Sequence, residues 1–244
     1  MLSKTNIKFI KSLQVKKYRK QEQCFVVEGA KSVLELLASD FEVVMLLGTD
    51  EFLAGTRNLP VQHIRVTEKE LEGLGEFQTN NSALAVAKLK SNNPISVSTV
   101  EFALVLDDIR DPGNLGTIVR TADWYGIHKI IASPETADIY NSKVITSTMG
   151  SFTRVKIFYT DLDTYLSKTE HKVYGAYLDG KDVHHVAFGK GGLILIGNEA
   201  HGINPQLKKY VTDKVTIPRY GNAESLNAAI ATAVICDNLR RVNP

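Results

Sequence analysis

A set of near-continuous apolar runs in the second half of the chain limits its fold more than any other feature. They are "FALVLDDI" (102–109), "HKIIAS" (128–133), "VKIFYT" (155–160), "KVYGAYL" (172–178) and "LILIG" (193–197). A strand with one wet face alternates apolar and polar residues, so an unbroken run requires cover on both faces. Between the runs lie stretches with helical character: 114–125, "NSKVITSTMG", "DLDTYLSK", "NPQLKKYV" and 225–241, with "KVTIP" as a last strand. Strands alternating with helices predict an α/β fold with a parallel sheet over 100–244.

The first part carries a smaller series. "CFVVEG", "FEVVMLLGT", "QHIRVT" and "ALAVAKL" read as strands, "AKSVLELLAS" and "EKELEGL" as helices, and "NIKFIKSLQVKKYRK" (6–20) as a helix running into a basic turn. This predicts a second α/β unit over 1–92. "KSNNPISVST" (90–99), polar and without periodicity, reads as the linker between them.

The 244 residues suffice for two domains. Net charge is only +2, so the total argues for no particular partner. Its distribution is uneven: residues 1–21 hold seven Lys and Arg and no acid. Cys24 and Cys236 stand far apart, without the neighbours of a zinc site or redox pair. The N-terminus has no apolar signal region, and "LNAAIATAVIC" (226–236) is too short for a bilayer span. A cytoplasmic location without a membrane partner is the expectation.

In parallel sheets, ligands sit beyond the carboxyl ends of the strands. Three loops there have unusual polar content. The first, "DPGNLGTIVRTADWYG" (111–126), opens with a Pro-Gly turn and continues as an amphipathic helix. Leu115, Ile118, Val119 and Ala122 form its apolar stripe, with Arg120 nearly opposite and Asn114 near the start. The second, "LILIGNEAHGI" (193–203), runs a strand into Gly197, Asn198 and Glu199. The third, "IPRYGNAESLNAAIA" (217–231), leads into a helix expected to begin at Ser225, Leu226 and Asn227.

Taken singly, these residues leave alternatives open. Arg120 reads as a solvated charge on an outer face. Glu199 suits a helix cap or a site equally. Asn227, on a helix apolar nearly all round, is expected to be buried, as a structural clamp or as part of a site. His184 and His185 have no Cys or carboxylate cluster nearby and read as surface loop rather than metal ligands. Neither a dinucleotide-binding G-x-G-x-x-G after the first strand nor a P-loop nor a G-x-S-x-G elbow is present.

As an ordered set, "PGNLGTIVRTADWYG", "LIGNEAHGI" and "IPRYGNAESLNAAIATA" resemble the three motifs of the SpoU (TrmH-type) RNA ribose 2′-O-methyltransferases of the SPOUT class. "LQVKKYRKQEQCFVVEGAKSVLELL" resembles the L30e-like RNA-binding domain that precedes the catalytic domain in rRNA-directed members, and "SKVITSTMGSF" is similar to the loop before their middle strand. Arg219 departs from the family, in which an apolar residue is usual at that place.

The resemblance implies a deep trefoil knot at the C-terminus, S-adenosylmethionine as cofactor without a metal, and a homodimer with each site completed across the interface. It places Gly197, Asn198, Ile217 and Leu226 at the cofactor. It makes Arg120, Asn114, Glu199, Ser225 and Asn227 the catalytic set. Beside an L30e-like domain, Lys16, Lys17, Arg19 and Lys20 become expected RNA contacts, with rRNA favoured over tRNA. The rival readings are a tRNA enzyme, a non-catalytic RNA-binding protein on the same fold, and an α/β enzyme for small nucleotides.

Overall fold

The computed structural model describes residues 2–56, 59–76 and 80–243. They form two compact units: 1–91 with 138–153, and 92–137 with 154–244. The sixteen-residue piece 138–153 belongs by packing to the first unit although it lies in sequence between two strands of the second.

The first unit runs α1 (Lys4–Ser12), α2 (Lys16–Glu22), β1 (Cys24–Glu28), α3 (Ala30–Leu37), β2 (Val43–Gly48), α4 (Asp50–Ala54), β3 (Gln62–Arg65), α5 (Glu68–Glu72) and β4 (Ala83–Lys88). Its sheet has the order β1-β4-β2-β3, with β4 antiparallel to both neighbours and β2 parallel to β3. Ile10, Leu13, Val26, Leu47, Leu71 and Leu84 make one core. Where a helix running into a basic turn is expected over 6–20, the basic stretch is itself helical and the segment forms two helices. Val15 is extended between them, and the Arg19 guanidinium takes the Leu13 and Gln14 carbonyls at 2.9 and 2.8 Å. The short α4 has no apolar signature in the sequence: Thr49 caps it, and no residue in it is buried.

The second unit holds β5 (Phe102–Leu106), α6 (Pro112–Trp124) and β6 (Lys129–Ala132). After the piece that carries α7 (Ser142–Thr148) come β7 (Lys156–Tyr159), α8 (Leu162–Leu166), β8 (Val173–Asp182), β9 (Gly192–Ile196), β10 (Asp213–Thr216) and α9 (Ala228–Val242). Its six strands are all parallel, in the order β10-β8-β9-β5-β6-β7. All residues of β5 and β9 are buried, which is why their runs are unbroken. One face, with Ala103, Val105, Leu193 and Leu195, packs on Leu162 and Leu166. The α6 stripe Leu115, Ile118, Val119 and Ala122 is buried as its spacing requires. "NPQLKKYV" forms a 3-10 turn over Pro205–Tyr210 in place of an α-helix.

The linker segment has no regular structure, yet from residue 92 onward it is tied to the second unit. Asn92 exchanges hydrogen bonds with the Tyr159 backbone, His171 bonds the Val97 carbonyl, and Lys129 bonds the Ser96 carbonyl and the Glu101 carboxylate.

Candidate active site

From β5 the chain steps outward to β6 and β7, and later fills the other side of the sheet with β8, β9 and β10. Strand order therefore reverses between β5 and β9. A crevice opens at such a switch point beyond the carboxyl ends of the strands, because the loops leave in opposite directions. Three of the expected motif residues, Asn114, Glu199 and Asn227, meet there.

The loop after β5 enters α6 through Asp111, whose carboxylate accepts the Asn114 N–H at 2.8 Å, with Pro112 at the first helical position. The helix thus begins two residues before the expected start. Asn114 Nδ2 donates to Glu199 Oε1 at 2.6 Å, and Asn114 Oδ1 accepts from Asn227 Nδ2 at 2.8 Å. Asn227 Oδ1 accepts the N–H groups of Ala229 and Ile230 at 2.9 and 3.3 Å, capping α9.

The direction of this chain is dictated at both ends. A carboxylate only accepts, so Asn114 turns its amide nitrogen to Glu199 and its oxygen to Asn227. The helix N–H groups only donate, so Asn227 turns its oxygen to them. Three side chains from loops 85 and 113 residues apart are locked in one orientation.

Two carboxylates at the end of β5 hold the Glu199 loop. Asp107, buried, accepts the Asn204 N–H at 2.6 Å, and burial pushes its carboxyl above the ordinary value. Asp108 sits in the left-handed region at φ 59°, a conformation that Asp tolerates. Its carbonyl and Oδ2 accept from Asn198 Nδ2 at 2.8 and 3.3 Å. The pair Asp107-Asp108 is the signal for these acids; the run "FALVLDDI" counts them as strand, whereas β5 ends at Leu106.

Asn198, expected at the cofactor, uses its side chain to clamp its own loop. Its side chain is spent on Asp108 and on the N–H groups of Ala200 and His201, and its backbone pairs with Gly202. Gly197 is required because a Cβ there would lie 2.2 Å from Gly202 C and Ile203 N. Asn227 is exposed rather than buried, and α9 begins at Ala228, leaving Ser225 and Leu226 in the exposed loop. The apolar pattern of 226–236 extended the helix one turn too far; the cap residue marks its true start. Ile217 is half-buried at the base of that loop.

Arg120 lies on the outer face of α6 with Thr117 and Trp124, without a hydrogen-bond or ion-pair partner among the described residues. It is not part of the Glu199–Asn114–Asn227 chain. Of the expected RNA contacts, Lys16, Lys17 and Lys20 are exposed, but Arg19 is not. Only 3% exposed, it bonds Asp138 at 2.8 Å as well as the two carbonyls of the α1–α2 turn. Burial and these bonds make it a structural residue. His184 and His185 contact Asp182 in a surface turn, and no cluster of three metal-ligating side chains exists among the described residues. Cys236 is buried, which pushes its thiol up to about 12.

The model of the SpoU rRNA Methylase family matches residues 101–237, more than half of the chain. The chain belongs to the SpoU rRNA methylase family. A second model, for the MRM3-like substrate binding domain, matches residues 4–85. Among curated relatives of this SpoU chain, the 23S rRNA (guanosine(2553)-2′-O)-methyltransferase RlmP of Bacillus subtilis is 30% identical over 96% of this chain and 95% of its own length. A TrmH-family structure from Porphyromonas gingivalis is 35% identical with a TM-score of 0.89, covering 99% of both chains. The AdoMet-bound rRNA methyltransferase from Sinorhizobium meliloti is 29% identical with a TM-score of 0.88, covering 99% of this chain and 97% of the other.

Proposed function

We propose that this protein transfers the methyl group of S-adenosylmethionine to a ribose 2′-hydroxyl of ribosomal RNA. The observation that carries the reading is the Glu199–Asn114–Asn227 chain, which joins all three family motifs beyond the strand ends at the switch point. The residues present suit the cofactor. Among the described residues, no backbone N–H between Ile217 and Leu226 has a hydrogen-bond partner, so that loop offers unpaired groups to a purine edge. Backbone atoms of Gly197, Ile217 and Leu226 would hold the adenosine portion, and Ser225 would fix the loop. When bound, the cofactor supplies an activated methyl on a sulfonium, so no metal is needed.

The protein's own work is alignment and handling of the hydroxyl proton. Arg120 carries the substrate contact: its planar fork grips the neighbouring phosphate and stabilises the developing alkoxide. A guanidinium with pKa above about 12 is poorly matched to act as the base. Asn114 and Glu199 position the substrate. Because Arg120 stands apart from the network of its own chain, we assign it to a site completed by a second protomer in a homodimer. The C-terminal segment threads the knot of the SPOUT class. The first unit is the RNA substrate-binding domain, and the second is the catalytic one. The setting is the cytoplasm, and no helix among the described residues is long and apolar enough to cross a membrane.

The rRNA preference is supported by the full-length likeness to a 23S rRNA enzyme. Mapping 2′-O-methyl groups in cellular rRNA and tRNA, with and without the intact gene, tests it. A lost methyl in 23S rRNA is the expected result; one lost in tRNA alone overturns the substrate.

A further inference from the structure

The helix α2 has one buried residue, and that residue is an arginine. A seven-residue helix is ordinarily held to its domain by an apolar stripe, because short helices are marginal by themselves. Here Arg19 does the holding, through the Leu13 and Gln14 carbonyls and Asp138. The apolar residues of the segment are consequently left outside. Val15 is 51% and Tyr18 41% exposed. Packing does not demand an aromatic ring at that place.

The charges of this helix are mostly of one sign, three exposed lysines against Glu22 alone. Lys16, Lys17 and Lys20 are exposed and have no ion-pair partner among the described residues, and the Lys17 ammonium lies 6.0 Å from the centre of the Tyr18 ring. On α1, Lys4, Lys8 and Lys11 recur at the i, i+4, i+7 spacing of one helix face, all exposed and likewise without ion pairs. Unpaired ammonium groups fit phosphates. A half-exposed ring among them adds what phosphate contacts lack, a flat apolar surface for a base. That combination suits a single strand, whose bases are free to stack; in an A-form duplex they are already stacked on one another.

We propose that α2 is a single-strand platform, on which Tyr18 stacks one unpaired base of the RNA while Lys16, Lys17 and Lys20 hold the flanking phosphates. The inference rests on the reading of this protein as an RNA-directed enzyme, and it narrows the RNA feature bound by the first unit to an unpaired nucleotide.

The test is fluorescence anisotropy on the full chain, with a labelled oligonucleotide of about ten adenosines and uridines and an RNA duplex of the same length. Wild type should bind the single strand more tightly. Tyr18→Ala and Tyr18→Leu should each weaken single-strand binding roughly tenfold, the loss of one base stack, and leave the salt dependence unchanged. Tyr18→Leu keeps an apolar side chain in the half-buried position, so it reports on stacking even if the alanine variant melts early. Tyr18→Phe should bind within about twofold of wild type. Replacing the three lysines with Ala should flatten the slope of log affinity against log salt by about 2. Wild-type affinity in Tyr18→Leu, or equal weakening toward strand and duplex, overturns the platform. So does a Tyr18→Phe loss as large as that of Leu. Tyr18-dependent binding by a wild-type protein that transfers no methyl to rRNA would instead overturn the proposed reaction and leave the platform standing.

Discussion

Two arginines show how little a residue's charge says about its work. Arg19 lies in a lysine-rich stretch and reads as one more RNA contact, yet it is buried against two carbonyls and Asp138. Arg120 lies on an amphipathic helix and reads as solvated, and it is indeed exposed and unpaired among the described residues. Periodicity separated the second case because α6 has a clear apolar stripe. It failed in the first because α2 has none, and the partners of Arg19 include one 119 residues away. The side-chain bonds of Asn198 were not legible for a similar reason: a motif marks a position without saying which bonds its side chain makes within the loop. For Arg120 the proposed role makes a sharp prediction. Arg120→Ala should leave S-adenosylmethionine affinity, read by calorimetry, within about twofold, while methyl transfer to rRNA falls by about two orders of magnitude or more. Arg120→Lys should recover only a small part, because an ammonium cannot reproduce the two-pronged grip. Wild-type turnover in the alanine variant removes Arg120 from the mechanism.

At the scale of elements, caps and short clamps decide where the site residues stand. The strands were legible because burial on both faces leaves an unbroken apolar run. The start of α9 was not, because Leu226 continues the pattern while Asn227 ends the helix by capping it. Asn227 does two things that different substitutions separate. Its oxygen caps α9, and its nitrogen donates to Asn114. Asn227→Asp keeps the acceptor and removes the donor, so it should melt close to wild type yet lose methyl transfer. Asn227→Ala should lose both, at a cost of about 1 kcal/mol for the cap. Thermal melting beside an activity assay distinguishes them, and full activity in the aspartate variant would show that the link to Asn114 is dispensable.

The strap from Ser96 to Glu101 gives a second prediction at this scale. Burial opposes the charged form of Glu101, but hydrogen bonds from Lys129 and from the Ser98 N–H outweigh it and hold its carboxyl below the ordinary value. A carboxyl lowered in the folded state adds stability above its unfolded value, and that stability is lost as pH falls through the folded one. Glu101→Gln should therefore melt lower than wild type at neutral pH, by about 0.5–1 kcal/mol. The two melting curves should converge below about pH 4. A gap that persists undiminished at low pH would show that the ion pair is not its source.

For the whole molecule, the α/β class, the parallel sheet and the family were all readable, since each rests on local runs or on short ordered motifs. The membership of 138–153 was not. In sequence it sits between β6 and β7 and reads as part of the second domain, but its hydrogen-bond partners elsewhere in the first unit lie 50 to 119 residues earlier. Phe25 of β1 meets Tyr140 in a tilted pair at 4.7 Å and Phe152 edge-on at 6.1 Å between ring centres, and Asp138 is the carboxylate that pairs with Arg19. A fragment cut after Ser91 would expose one face of Phe25 and strand a buried guanidinium. Breaking such a pair costs about 3–5 kcal/mol, a large share of the stability of a domain this small. The fragment 1–91 should accordingly show a weak, broad melt by circular dichroism. The same fragment joined through a flexible Gly-Ser linker to 138–153 should melt cooperatively, and Asp138→Ala within that fusion should return it most of the way to the bare fragment. If 1–91 melts as sharply and as high as the fusion, the inserted segment is a passenger, and the substrate-binding unit is self-sufficient without it.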